Sequence, residues 1–214
     1  MWPCCSTSPA GCVSRAGGCR TYHPVVATTG IEAWAAYPQH RRWFDKLDLS
    51  MRLGHRCGPC GVAPDVDGWC VVRPIYNLEG MGVGSRKEFV RAGDNRRVEP
   101  GYFWCEWFDG PQHSVTYDWA GGWVPVSSWR GHLAEGSLSR FLRWTRDDWA
   151  GVLPDWFDVL SDCGSVNVEF VGGRVIEVHL RRSPDPDWGD ELVPVWADDP
   201  VDDFVPGFDD AGGF

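Results

Sequence analysis

Between Ser165 and Arg181 two kinds of residue alternate strictly: Val166, Val168, Phe170, Ile176, Val178 and Leu180 are apolar, while Asn167, Glu169, Glu177, His179 and Arg181 are polar. A period of two is the signature of paired strands with one buried and one polar face. For both strands to keep their apolar sets together, opposed residue numbers must sum to an even value, so the expected loop is odd. Gly172-Gly173-Arg174 supplies three residues, with glycine for the left-handed position. That register sets Glu169 across from Glu177 and Asn167 across from His179. Opposed carboxylates repel. A hard divalent cation, Mg²⁺ or Mn²⁺, relieves the repulsion, and such ions commonly share their shell with phosphates. Arg181, on the same face, offers a fork for a phosphate or carboxylate. The same pattern also suits a solvated face of an antiparallel sheet, and on residue types alone both readings stand.

Other elements must hold this hairpin. Trp43, Phe44, Leu47 and Met51 share one face of an expected helix over His40 to Leu53, which Gly54 stops. Cys57 to Pro64 reads as loop. Trp69 to Tyr76 and Arg86 to Val90 read as strands joined by the glycine-rich stretch Asn77 to Ser85. Tyr102 to Trp107, His113 to Trp119 and Trp123 to Trp129 extend an antiparallel meander. The spacing of Leu138, Phe141 and Leu142, then of Trp156, Phe157 and Leu160, predicts two short helices parted near Gly151 and Pro154.

Several other groupings carry known chemistries. Cys57-Gly-Pro-Cys60 is the residue string of a redox dithiol, but no apolar strand precedes it and no helix follows, so it reads as loop. Cys4, Cys5, Cys12 and Cys19, or Cys57, Cys60 and Cys70, offer thiolates without a clean pair of zinc motifs. Trp104, Trp107, Trp119, Trp123 and Trp129 fit packed core better than a base-stacking platform. Arg140, Arg143 and Arg146, on the expected helix, read as a solvated row, as do Arg86 and Lys87 at a strand edge.

Composition restricts the function class. The 214 residues are 43% hydrophobic with 14 tryptophans, which describes a folded chain of one domain or two small lobes. Ten of the 30 acidic residues follow Arg182, where no Lys or Arg occurs, so residues 1–182 balance at 20 acidic against 20 basic. A neutral body with an acidic tail has no footprint for bulk nucleic acid. No leader-like or membrane-length apolar run is present, and the nine cysteines are odd in number, so the expectation is a cytoplasmic protein with reduced thiols and no membrane partner. Oligomeric state is left open.

Four segments, in order, carry a family resemblance. They are Asp45-Lys46-Leu47, then Val71-Val-Arg-Pro74 with Gly80-Met-Gly-Val-Gly84, then Glu106-Trp-Phe-Asp-Gly110, and last Glu177-Val-His-Leu-Arg181 with Glu169 before it. Together they resemble the ATP-grasp family, in a compact form lacking the family's preceding α/β domain, since residues 1 to 40 are short and irregular. The resemblance implies an α+β, ATP-grasp-like fold over residues 41–182, two lobes with antiparallel sheets clasping a nucleotide. Residues 1–40 would be a Cys/Gly-rich extension and residues 183–214 an acidic tail.

By that resemblance Lys46 and Arg73 hold the α- and β-phosphates of ATP, and Gly80, Gly82, Gly84 and Ser85 close over the phosphates. The backbone of Glu106, Trp107 and Phe108 reads adenine, Glu169, Glu177 and His179 bind Mg²⁺ or Mn²⁺, and Arg181 serves catalysis. The implied reaction joins an unidentified carboxylate to an unidentified amine through an acylphosphate. Glycines let backbone N–H groups approach a polyphosphate closely. Three departures bear on catalysis: Arg73 where lysine is usual, His179 where asparagine is usual, and Gln112 near a place often acidic. They leave open an alternative, a non-catalytic binding or structural module of the same fold, for example one encoded by a phage.

Overall fold

The computed structural model describes residues 27, 29–76, 78, 82–94, 98–184 and 189–194. Its strands form two antiparallel sheets. The first joins β1 (Cys57–Pro59), β2 (Gly68–Pro74), β3 (Arg86–Val90) and β4 (Tyr102–Glu106) in the order β1-β4-β2-β3. The second joins β5 (Gln112–Trp119), β6 (Trp123–Leu133), β7 (Phe141–Arg146), β8 (Ser165–Val171), β9 (Arg174–His179) and β10 (Glu191–Leu192) in the order β10-β7-β6-β5-β8-β9. With α1 (Gly30–Ala36), α2 (Lys46–Arg52) and 3-10 turns at Pro38–Phe44 and Asp155–Cys163, the class is α+β.

One face of the second sheet builds the main core. Val115, Tyr117, Val166, Val168, Phe170, Val178 and Leu180 pack with Trp43, Phe44 and Leu49 on one side and with Phe157 and Leu160 of the second 3-10 turn. Full burial of such a side chain is worth about 1.5–3 kcal/mol. A smaller cluster of Cys70, Val72, Val90, Val98 and Trp104 serves the first sheet. Among the tryptophans, Trp104 and Trp129 are buried while Trp107, Trp119 and Trp123 are half-buried. Among the described residues no helix is long and apolar enough to cross a membrane.

Several elements differ from the sequence reading. The expected helix from His40 to Leu53 is split at Asp45, whose extended backbone (φ −81°, ψ 100°) and carboxylate, accepting the Asp48 N–H at 2.9 Å, start a new helix. A side-chain cap of this kind satisfies an otherwise orphan N–H. The restart resets the helical phase, so Leu49 is buried and Met51 is 63% exposed.

Cys57-Gly-Pro is a short strand rather than loop, and Cys57, Cys60 and Cys70 do not gather as a metal cluster. Residues 141–146 are a strand rather than helix, because Arg130↔Thr145 and Trp129↔Arg146 pairing with β6 outweighs a weak local period. Arg143 and Arg146 therefore lie on a strand; Arg143 meets Glu191 at 3.3 Å. Residues 29–36 are not irregular: Thr29 and Glu32 form a reciprocal capping box at 3.1 Å for α1, and Tyr37 after it joins the core. Cys4, Cys5, Cys12, Cys19 and residues 195–214 of the acidic tail lie outside the described residues.

Candidate functional site

The β8–β9 hairpin pairs Glu169 with Glu177 and Asn167 with His179, as the alternation requires. The parity is met differently from expectation. The turn has two residues, Gly172 and Gly173, both left-handed at φ 56° and 79°, and the odd residue is a bulge after Glu169↔Glu177. Glycines at both central positions favour a tight hairpin turn, and the bulge restores the face. Beyond it Val175, 5% exposed, replaces Ile176 in the apolar set.

The polar face is not a solvated one. Asn167, Thr116, Ser127 and His179 are all buried. Residues directly opposed across antiparallel strands share a face, so Glu177, Glu169, Ser114, Trp129 and Arg146 form one row across β9, β8, β5, β6 and β7. His179, Asn167, Thr116 and Ser127 form the next. Asn167 Nδ2 donates to Ser114 Oγ at 3.0 Å and to Thr116 Oγ1 at 3.3 Å. Ser114, Thr116 and Ser127 were not anticipated, although Gln112, Ser114 and Thr116 alternate with His113, Val115 and Tyr117 and could have disclosed the face.

Glu169, Glu177 and His179 bring one ligand atom each to within 4.8 Å of one another. His179 Nε2 is 3.4 Å from Glu169 Oε1 and 3.7 Å from Glu177 Oε1. With bonds of about 2.1 Å, neighbouring ligands of one cation lie roughly 3.0–3.4 Å apart, so a small inward adjustment suits this set to an ion. Two carboxylates with one imidazole fit Mn²⁺ better than Mg²⁺, which favours oxygen alone.

Lys46 comes from the first turn of α2 and places Nζ 2.7 Å from Glu177 Oε2, with side-chain exposures of 6% and 12%. Burial by itself raises the Glu177 pKa, but the charges of Lys46, His179 and Arg73 outweigh it, and the carboxyl stays below its ordinary range. Arg73, at the end of β2, donates through Nη2 to the Ile176 carbonyl at 3.0 Å, lies over the Phe103 ring, and leaves its buried Nε without a partner. Gln112 Nε2 donates to Glu169 Oε2 at 3.2 Å.

The remaining expected residues are only partly gathered. Arg181 lies just past β9, and its guanidinium donates to the Arg182 carbonyl at 2.8 Å. In the glycine loop, Gly82 and Gly84 are left-handed at φ 60° and 80°, and Ser85 N–H donates to the Gly82 carbonyl at 3.0 Å. A Cβ at Gly82 would sit 3.3 Å from the Leu138 carbonyl, so the loop closes against the β6–β7 connection. Gly80 lies outside the described residues.

At the expected adenine segment, Glu106 N–H donates to Arg56 at 2.8 Å and Trp107 N–H to Trp69 at 3.0 Å. These two donors are committed to the sheet, which leaves the Phe108 N–H as the available one in that segment. Phe108 stacks edge-on with His55 and under Arg174. Lys87, expected as a solvated edge residue, lies over the Trp107 ring at 3.9 Å, and Arg86 pairs with Glu88 and Glu99.

No family model and no curated protein matches the sequence. Solved structures do. The chain is similar to an L-amino acid ligase from Bacillus licheniformis (14% identity, TM-score 0.43, 71% of this chain and 45% of that one). It is also similar to the ATP-grasp ligase PsnB in complex with a minimal precursor (12% identity, TM-score 0.38, 70% and 55%). The likeness is to ATP-grasp structures. A further similar structure is carboxyaminoimidazole ribonucleotide synthase from Aspergillus clavatus complexed with ATP (9% identity, TM-score 0.41, 67% and 46%). The chain spans about half the length of these ATP-grasp and related structures.

Proposed function

We propose that this chain binds ATP together with a divalent cation, Mn²⁺ or Mg²⁺, on the polar face of the second sheet. The observation that carries the reading is the convergence of Glu169, Glu177 and His179, with Lys46 of α2 and Arg73 of β2 both reaching β9 beside them. Further support comes from buried donors without acceptors: Arg73 Nε, Ser127 Oγ and Trp129 Nε1. Stranded buried donors are costly, and a polyanion brings acceptors. Glu169 and His179, with the Oε1 of Glu177 that Lys46 does not take, would hold the cation. Lys46 and Arg73 would neutralise phosphate oxygens, and the Gly82–Ser85 turn would cover them.

The reaction this arrangement serves is ATP-dependent joining of a carboxylate to an amine. The substrate carboxylate attacks the γ-phosphorus, releasing ADP and leaving an acylphosphate, and the amine then displaces inorganic phosphate to give the amide. The protein's contribution is alignment and neutralisation of charge. Arg181 would turn its fork from the Arg182 carbonyl to the carboxylate or transferring phosphate.

A second reading is favoured by the closed Lys46–Glu177 pair: a non-catalytic module in which the cluster is internally neutralised and serves structure. Calorimetric titration with ATP in the presence of Mn²⁺ or Mg²⁺ separates the two. Saturable, metal-dependent binding lost in Glu169→Gln supports the first. No binding by the wild-type chain rejects it and leaves the second.

A further inference from the structure

We propose that Cys57 and Cys105 are a disulfide-forming pair across β1 and β4, oxidised by a low-molecular-weight disulfide. The two residues are directly opposed in the antiparallel ladder. Glu106 N–H donates to the Arg56 carbonyl at 2.8 Å, and Cys60 N–H donates to the Tyr102 carbonyl at 3.3 Å. These bonds lie one residue outside Cys57/Cys105 and Pro59/Phe103, which marks both as non-hydrogen-bonded pairs. At such a pair the Cα atoms approach to about 4.5 Å and both side chains leave the same face. That separation lies within the roughly 4.4–6.8 Å a disulfide spans. Both thiols are free.

The sequence string Cys57-Gly-Pro-Cys60 points to a different partner, and the strand removes it. At about 3.3 Å of rise per residue, an extended Cys57–Pro59 carries Cys60 roughly 10 Å along the chain, beyond disulfide reach. Cys105, 48 positions away in sequence, is the neighbour instead.

Exposure sets the order of events. Cys57 is half-buried and Cys105 is 1% exposed. With oxidised glutathione, the Cys57 thiolate attacks one sulfur, forming a mixed disulfide and releasing one glutathione thiol. The Cys105 thiolate then attacks the Cys57 sulfur, forming the cross-link and releasing the second. Two protein thiols are oxidised, one small disulfide is reduced to two thiols, and each protein thiol proton ends on a glutathione sulfur. Burial pushes the Cys57 thiol up to about 11 and Cys105 to about 12, so exchange is slow. The bond fastens β1, a three-residue edge strand, to β4 one residue before Glu106.

The test treats the full chain with oxidised glutathione, alkylates remaining thiols, and maps non-reduced peptides by mass spectrometry. The expected product is a Cys57–Cys105 linked peptide that disappears with dithiothreitol, accompanied by a rise in Tm of about 5 °C or more. Cys60→Ser keeps both effects and Cys57→Ser loses both. A dominant Cys57–Cys60 link, Cys57 joined to any other cysteine, a glutathione adduct on Cys57 that never resolves, or no oxidation of the wild-type chain each overturns the proposal.

Discussion

Lys46 Nζ and Glu177 Oε2 meet at 2.7 Å between α2 and β9, each side chain almost wholly buried. The pair ties the helical segment to the edge of the second sheet and, with the charges of His179 and Arg73, keeps the Glu177 carboxyl below its ordinary range. Removing one partner strands the other in a poorly hydrated place, whereas replacing both with apolar groups avoids that penalty.

Lys46→Met and Glu177→Leu, singly, are therefore expected to cost about 3–5 kcal/mol each, with the double variant Lys46→Met/Glu177→Leu losing less than either. Denaturant unfolding measures this. Single-variant losses that simply add in the double would refute the coupling.

The same carboxylate sets an acid dependence. Glu177 has its folded pKa below the unfolded value of about 4.3, so the stability it contributes is present above that value and lost as pH falls through the folded pKa. Glu177→Gln is expected to unfold with a shallower pH dependence below about pH 4.3 than the wild-type chain. Identical slopes would show that the group titrates alike in both states.

Metal binding is expected to depend on all three ligand residues. Glu169→Gln and His179→Ala should each weaken Mn²⁺ binding by roughly tenfold or more, read by electron paramagnetic resonance of free Mn²⁺. Gln112→Ala, which removes only the amide that donates to Glu169, should weaken it less. Retained affinity in both ligand variants would place the ion elsewhere.

Two adjacent glycines should behave differently. Gly172 packs against the Asp109–Gly110 backbone, with a Cβ on Gly110 only 2.6 Å from Gly172 Cα, and its own Cβ would collide with the Asp109 carbonyl. Gly173 would meet only Trp149, at 3.8 Å. Gly173→Ala should cost about 1 kcal/mol from its left-handed backbone alone, and Gly172→Ala distinctly more. Equal losses of Tm would mean that the Gly110–Gly172 contact adjusts freely.

The alternation of Ser165 to Arg181 determined the hairpin, its buried face, and the opposition of Glu169 to Glu177, because a period of two leaves little freedom once one face is apolar. It did not determine how the parity is met: a two-residue turn with a bulge and a three-residue turn satisfy the same pattern. The strands at 68–74, 86–90, 102–106 and 112–119 were legible from runs of β-branched and aromatic residues bounded by turn residues. Residues 141–146 were not, since Leu138, Phe141 and Leu142 suit a helix locally and only the partner strand β6 makes them β.

The tertiary structure alone decided what the polar face meets. No local pattern brings Lys46 to Glu177, 131 positions on, Arg73 to the Ile176 carbonyl, or Cys57 to Cys105. The first two depend on how a helix and a separate sheet pack on β9, and the third on which strands pair within the first sheet; short-range periodicity encodes neither. The sequence thus determined the hairpin's chemistry, two carboxylates and an imidazole on one face. The fold decided that this face is buried, neutralised by Lys46 and Arg73, and faced with donors that lack acceptors.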